Sequence, residues 1–227
     1  MVAFLQAVRE GAVMVELDVR LSADKELVVI HDRRMNRTTG RRGRVRDLTV
    51  AELKVLDAGS WFSPTYSGER IPLLKEVFRT LPSRIGLNIE VKTDGDRQRN
   101  GEMSRSLGKL ITKEARGRAL LVSSFDHRFL QRFHRMYPAV AVGVLYMAVR
   151  DFGRSPAAMA RNVGAGTFVT SCAQVRKRLV ANVHRHGLRY FSYGVNRIPQ
   201  LRRVARFGVD GIITDFPARL HRVLHQR

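Results

Sequence analysis

The stretch ELDVRLSADKELVVIHD, residues 16–32, predicts a strand with alternating side chains, a polar turn and a returning strand. Successive side chains of a strand point to opposite faces, so Glu16, Asp18 and Arg20 share one face and the apolar residues share the other. A strand buried in a parallel sheet is normally apolar on both faces. The acidic face therefore indicates a functional site, and the plainer alternative is an exposed hairpin.

The register of this hairpin decides where His31 points. If the chain folds back between residues 24 and 25, Asp18 faces His31 across the ladder and the two side chains share a face. A shift of one residue would place His31 on the opposite face. We expect the first register.

A second segment, GLNIEVK at residues 86–92, places Asn88, Glu90 and Lys92 on one face of another strand. Two neighbouring acidic strand faces are costly without a counter-charge. A hard divalent cation held by Glu16, Asp18 and Glu90 would supply that charge. Lys92 would then hold an anionic oxygen. The alternative is a network of salt bridges, Lys92 to Glu90 or Arg20 to Asp18.

The rest of the chain alternates short apolar strands with amphipathic helical stretches, which indicates a parallel α/β sheet. A doubly wound open sheet is one solution. A TIM (β/α)8 barrel with its first strand missing is the better one, because no strand precedes the opening helical stretch. The predicted strands are 14–21, 86–92, 119–124, 140–146, 166–171, 188–195 and 209–214.

The charge of the chain favours anionic partners. There are 41 Lys and Arg against 20 Asp and Glu, a net charge of +21, although the arginines are spread widely enough to be solvated helix faces. Residues 32–47 carry seven arginines without aromatic residues on which bases could stack, so nucleic acid is disfavoured. An anionic membrane surface is a candidate partner.

Targeting signals are sparse. The opening segment MVAFLQAVREG is too short and too amphipathic for a signal peptide, and we expect a cytoplasmic protein. No apolar run has transmembrane length. A single cysteine, Cys172, excludes an internal disulfide.

Residues 11–61, GAVMVELDVRLSADKELVVIHDRRMNRTTGRRGRVRDLTVAELKVLDAGSW, resemble the glycerophosphodiester phosphodiesterase family. The segments RIPLLKEV, LNIEVK, VSSFD, GLRYFSYGVN and GVDGIITDFP continue the resemblance in order. It implies a TIM barrel with a small insertion after the second strand, here roughly 33–70. It also implies hydrolysis of a small-molecule glycerophosphodiester to glycerol 3-phosphate and an alcohol with one Mg²⁺ or Ca²⁺ ion.

The resemblance assigns roles residue by residue. His31 matches one of two catalytic histidines, and Lys92 matches a lysine that contacts phosphate. Tyr193 stands where the family has a substrate-lining tryptophan, and Asn196 is a further candidate substrate-binding residue. The matched metal ligands are Glu16, Asp18 and Glu90.

Two family motifs are absent from the sequence: the strand ending in His-Arg-Gly and the Pro-Glu-Asn-Thr motif that follows it. The other catalytic histidine belongs to the first of them. We therefore expect residues 1–227 to be a single N-terminally truncated domain with impaired turnover. The alternatives are a lysophospholipase D-like enzyme acting on membrane lipid diesters, or a non-catalytic remnant that binds phosphate-containing ligands.

Overall fold

The computed structural model describes residues 1–115 and 117–225. Its contacts divide the chain into two compact units, one of residues 1–6 and 13–120, the other of residues 7–12 and the chain from Leu121 onward. In chain order the elements are α1 (Val2–Arg9), β1 (Met14–Leu21), β2 (Leu27–Val29), α2 (Asn36–Thr39), α3 (Val50–Lys54), α4 (Leu74–Thr80), β3 (Gly86–Val91), α5 (Arg97–Glu114), β4 (Leu120–Ser124), α6 (His127–Met136), β5 (Val142–Leu145), α7 (Ala148–Asp151), α8 (Pro156–Val163), β6 (Thr167–Ser171), α9 (Lys177–Arg185), β7 (Arg189–Tyr193), α10 (Ile198–Arg206), β8 (Gly211–Ile212) and α11 (Pro217–His225).

In the first unit, β1 lies between its antiparallel partner β2 and its parallel partner β3. The parallel register places Glu16 opposite Asn88 and Asp18 opposite Glu90. All residues of β3 are buried, including the polar Asn88 and Glu90. Because residues opposite one another in a ladder point to the same face, these four polar side chains line one face of the two strands.

The hairpin register predicted from the sequence was wrong by one residue. Val19 pairs with Val29, and the Ile30 amide donates to the Asp18 carbonyl at 3.0 Å, so Ile30 occupies the place expected for His31. The loop has three residues, since the Ser22 amide already bonds the Glu26 carbonyl at 3.0 Å. Lys25 closes it in the left-handed region with φ 65°. A three-residue loop of this kind moves every later pair by one position.

An arginine positions the loop that leads into β3. The Arg118 guanidinium donates to the carbonyl oxygens of Phe78, Leu81, Pro82 and Ile85 at 3.2, 2.8, 3.0 and 2.6 Å. Some of these carbonyls belong to the last turn of α4, where backbone acceptors lack helical partners. Arg118 satisfies them and ties the end of α4 to the residue before Gly86.

The segment between β2 and α4 has a small apolar core of its own. Met35, Val45 and Leu53 are fully buried in it, and they pack with Val28 and Ile71. Within it, α3 begins with a capping box in which Thr49 and Glu52 exchange side-chain and backbone hydrogen bonds. The 33–70 bounds of an insertion remain a prediction.

The second unit contains parallel strands in the order β4-β5-β6-β7-β8. Each strand predicted for this part of the chain is present, and the last one shortens from 209–214 to Gly211–Ile212. Gly187 and Gly208 end their helices with φ of 71° and 78°, as expected for C-terminal capping glycines. Throughout the described ranges, none of the helices combines the length and apolarity that crossing a bilayer requires.

Candidate active site

Three carboxylates predicted as ligands converge in the first unit. One oxygen from each of Glu16, Asp18 and Glu90 lies within 4.8 Å of the others. The parallel register of β1 and β3 brings them together, since Asp18 and Glu90 are direct partners and Glu16 lies one step along the same face. A set of three oxygen ligands fits a hard divalent cation such as Mg²⁺ or Ca²⁺.

Lys92 supplies positive charge to this cluster. Its ammonium lies 3.1 Å from Asp18 Oδ1 and makes direct contact with Glu90 Oε1. Burial disfavours the charged form of Lys92. The neighbouring carboxylates of Glu90 and Asp18 favour it more strongly, so the pKa of Lys92 is raised. Burial also raises the pKa of Glu90, against the opposing effect of Lys92. The salt-bridge network expected as an alternative thus exists at Lys92.

Arg20 takes a different partner from the one considered in the sequence. Its Nη1 lies 3.4 Å from Asp94 Oδ1, and its Nε donates to the His31 carbonyl at 3.0 Å. Arg33 also reaches Asp94 Oδ1 at 3.4 Å. Arg20 therefore ties the backbone at His31 to β1. Sequence reasoning missed Asp94, although a buried arginine needs an acceptor and Asp94 follows β3 closely.

His31 is exposed and is oriented by its neighbour. His31 Nδ1 lies 2.8 Å from Asp32 Oδ1, and Asp32 Oδ2 accepts from Arg37 Nε at 2.6 Å. The Arg37 guanidinium lies over the Trp61 ring, 4.7 Å from its centroid. An ionised carboxylate only accepts hydrogen bonds, so Nδ1 carries a proton and Nε2 is the ring atom left for proton transfer.

Replacing Arg37 by glutamine is expected to raise the pKa of Asp32. The Arg37 hydrogen bond is the largest cause that holds the pKa of Asp32 at about 2, and His31 adds to it against the effect of burial. Because this pKa is depressed in the folded state, the stabilisation is present above about pH 4 and is lost as the pH falls towards 2. A carboxyl ¹³C NMR titration measures the shift.

The matched control for this titration is Arg41→Gln, which removes an arginine of the same segment whose ion-pair partner is Glu52 at 3.8 Å. The control should leave the pKa of Asp32 at about 2. An unchanged Asp32 titration in Arg37→Gln would contradict the assignment of Arg37 as its main stabilising partner.

Tyr193 and Asn196, predicted as substrate-binding residues, belong to the second unit. Tyr193 ends β7 and meets Phe125 edge to face at 6.4 Å between ring centroids. Asn196 Oδ1 accepts from the Thr214 hydroxyl at 3.1 Å and the Asp215 amide at 3.0 Å, while its Nδ2 donates to the Asp215 carboxylate at 2.6 Å. These contacts connect the segments after β7 and β8, and substrate binding by both residues stays a prediction.

Comparisons with known proteins support the family resemblance. Residues 1–219 match the model of the glycerophosphoryl diester phosphodiesterase family. The glycerophosphodiester phosphodiesterase of Caldanaerobacter subterraneus is 37% identical over 219 residues, 96% of this chain and 88% of that protein. Lysophospholipase D GDPD1 of Homo sapiens is 23% identical over 260 aligned residues, covering 99% of this chain and 81% of that protein.

The fold is also that of solved phosphodiesterases. The Oleispira antarctica phosphodiesterase in complex with the product sn-glycerol-3-phosphate matches with a TM-score of 0.90 and 24% identity, covering 98% of this chain and 88% of that one. The predicted (β/α)8 barrel class is thereby confirmed.

Proposed function

The chain belongs to the glycerophosphodiester phosphodiesterase family, and from that membership we propose that it hydrolyses a glycerophosphodiester to glycerol 3-phosphate and an alcohol with one divalent cation. The observation that carries the proposal is the cluster of Glu16, Asp18 and Glu90 with Lys92 in contact. Carboxylates and an ammonium brought together by two neighbouring strands can bind a cation and a phosphate side by side.

The three carboxylates would hold the cation, and oxygen ligands of this kind suit Mg²⁺ and Ca²⁺ alike. When bound, the cation supplies positive charge that stabilises the charge developing on the phosphate oxygens. Lys92, beside the same carboxylates, would bind a further phosphate oxygen.

His31 would move a proton at Nε2, because Nδ1 is engaged by Asp32. In the reaction implied by the resemblance, a glycerol hydroxyl of the substrate attacks phosphorus and expels the alcohol, and water then opens the cyclic phosphate. The attacking hydroxyl loses a proton and the leaving alkoxide gains one, so the reaction uses two proton-transfer groups. The sequence contains His31 as one of these groups. It lacks the His-Arg-Gly motif, which carries the second proton-transfer group in the family.

We therefore predict metal-dependent but slow release of glycerol 3-phosphate from glycerophosphocholine by the 227-residue chain. Lack of one general acid or base lowers turnover by about 10²- to 10⁴-fold. The assay compares the chain with the Caldanaerobacter subterraneus enzyme in Mg²⁺ and in Ca²⁺. Turnover equal to that enzyme would contradict the impairment, and release that persists undiminished in a chelator would contradict the metal requirement.

A second candidate is a lysophospholipase D-like cleavage of lysophospholipids, favoured by the alignment with the human lysophospholipase D over 99% of this chain. The two substrates share a glycerophosphodiester and differ in an acyl chain. Assaying lysophosphatidylcholine beside glycerophosphocholine separates them. A preference for the lysophospholipid, with lysophosphatidic acid as product, would favour the second candidate.

A further inference from the structure

A group of large apolar side chains is exposed at helix α7, in the second unit. Val149 is 96% exposed, Phe152 is 87% exposed and Met147 is 41% exposed. We call these three residues the α7 apolar patch. Single exposed apolar residues are ordinary on protein surfaces, whereas three within six successive residues form a candidate contact surface.

The buried carboxylate of Asp151 fixes the backbone turn that carries the patch. Asp151 has no exposed surface, and its oxygens accept from the Met147 amide at 2.9 Å, from Arg150 at 2.7 and 3.0 Å and from Arg154 at 3.0 Å. Arg150 also donates to the Phe125 carbonyl at 2.6 Å. The exposed apolar residues therefore stand on a turn that is fixed by charge-assisted hydrogen bonds.

Two partly exposed arginines flank the patch. The side chains of Arg150 and Arg154 are 43% and 45% exposed, and both pair with the buried carboxylate of Asp151. Asp126 also acts electrostatically on Arg150. Apolar side chains flanked by arginines match the interface of an anionic bilayer, where the apolar groups enter the acyl boundary and the arginines meet the headgroups.

A protein surface is a poorer match for this patch. A second copy of the chain would bring another net charge of +21 and the same arginines. Three side chains on a one-turn helix also fall well short of the roughly 800 Å² per partner that a stable protein interface buries. An anionic bilayer needs no surface shaped to fit the patch. It also attracts a positively charged protein, which a second copy of the chain would repel.

We propose that the α7 apolar patch docks this protein on the surface of anionic phospholipid bilayers. Helix α7 follows the carboxyl end of β5, and parallel α/β proteins bind their substrates at that end of their strands. Docking through α7 would thus turn the carboxyl ends of the strands in this unit towards the lipid. The proposal concerns the surface and is independent of the reaction at the acidic cluster.

Vesicle sedimentation tests the proposal, with phosphatidylcholine vesicles that contain about 30 mol% phosphatidylglycerol and with pure phosphatidylcholine vesicles. The variant Val149→Asp/Phe152→Asp should bind the anionic vesicles at least about tenfold more weakly than the unaltered protein. The matched control is Val13→Asp, since Val13 is 81% exposed and lies in the other unit. Circular dichroism confirms that each variant is folded.

The result that overturns the proposal is equal vesicle binding by the unaltered protein and the α7 variant, which would locate lipid binding elsewhere, for example at the arginines of residues 32–47. Equal loss in Val13→Asp would overturn it as well. So would a dimer, seen by light scattering, that the α7 variant abolishes while vesicle binding is unaffected, because the patch would then be a protein interface.

A fluorescence measurement checks insertion directly. Trp61 is the only tryptophan of the sequence, so Trp61→Phe gives a background in which Val149→Trp or Val13→Trp is the sole emitter. We expect a blue shift and quenching by brominated lipid for Val149→Trp and neither for Val13→Trp. Quenching of Val149→Trp no greater than that of Val13→Trp would contradict the docking geometry.

Discussion

Replacing Glu90 by glutamine is expected to weaken the binding of Mg²⁺ or Ca²⁺ to this protein by about 100-fold or more. Glutamine keeps the shape of the side chain but removes one of three carboxylate charges that lie within 4.8 Å of one another. Isothermal titration calorimetry with each cation measures the affinity without any dependence on turnover. In an assay of glycerol 3-phosphate release, the same variant should lose its response to added metal.

The control for this experiment is Glu26→Gln, which removes a carboxylate of the same unit that pairs with Lys75 at 3.2 Å. Its cation affinity should equal that of the unaltered protein. If Glu90→Gln binds Mg²⁺ and Ca²⁺ as tightly as this control, Glu90 is not a ligand.

The variant Lys92→Met separates a cation site from a purely structural salt-bridge network. The ammonium of Lys92 competes with a metal ion for the carboxylates of Asp18 and Glu90. Removing one positive charge a few ångströms from the site should raise the affinity for a divalent cation by about tenfold or more. Unchanged or weaker binding would favour the structural network.

The second large effect is expected at His31. Replacing it by glutamine should lower kcat for glycerophosphocholine by about 10²- to 10⁴-fold and leave KM almost unchanged, because the variant loses a proton-transfer group and keeps the phosphate-binding residues. Asp32→Asn should give a smaller loss, since Asp32 orients the imidazole through the 2.8 Å contact at Nδ1. Radiolabelled substrate makes slow turnover measurable.

His186→Gln is the matched histidine control, since His186 is exposed and its ring bonds within its own helix turn, to the Asn182 carbonyl at 2.8 Å. We expect its kcat to equal that of the unaltered chain. Equal kcat for His31→Gln and His186→Gln would exclude His31 from the chemistry.

The acidic cluster was accessible to sequence reasoning because it depends on strand alternation. The bounds of β1, residues 14–21, were predicted as the structure has them, and so were the faces of Glu16, Asp18 and Glu90. The position of His31 was harder to predict. One residue in the left-handed conformation, Lys25, accompanies a loop of three residues in place of the two that were predicted. Lysine has no preference for this conformation, so the sequence does not indicate it.

Contacts between residues that are distant in sequence also could not be predicted from the sequence. Arg20 and Asp94 are separated by 74 positions, and no local pattern connects them. The same holds for Arg118, whose four acceptors lie 33 to 40 residues before it. Such pairs follow from packing after the strands have assembled, so periodicity and motif spacing do not contain them.

Lys92 has a consequence for how the proposed site would take up a divalent cation. Many small metal-binding domains unfold under chelation because the ion alone neutralises their ligands. Here the ammonium of Lys92 already neutralises part of the charge of Asp18 and Glu90. The proposed site therefore does not depend on a metal ion to offset its negative charge, and binding a divalent cation would exchange one cation for another. Chelation with EDTA should then leave the melting temperature almost unchanged.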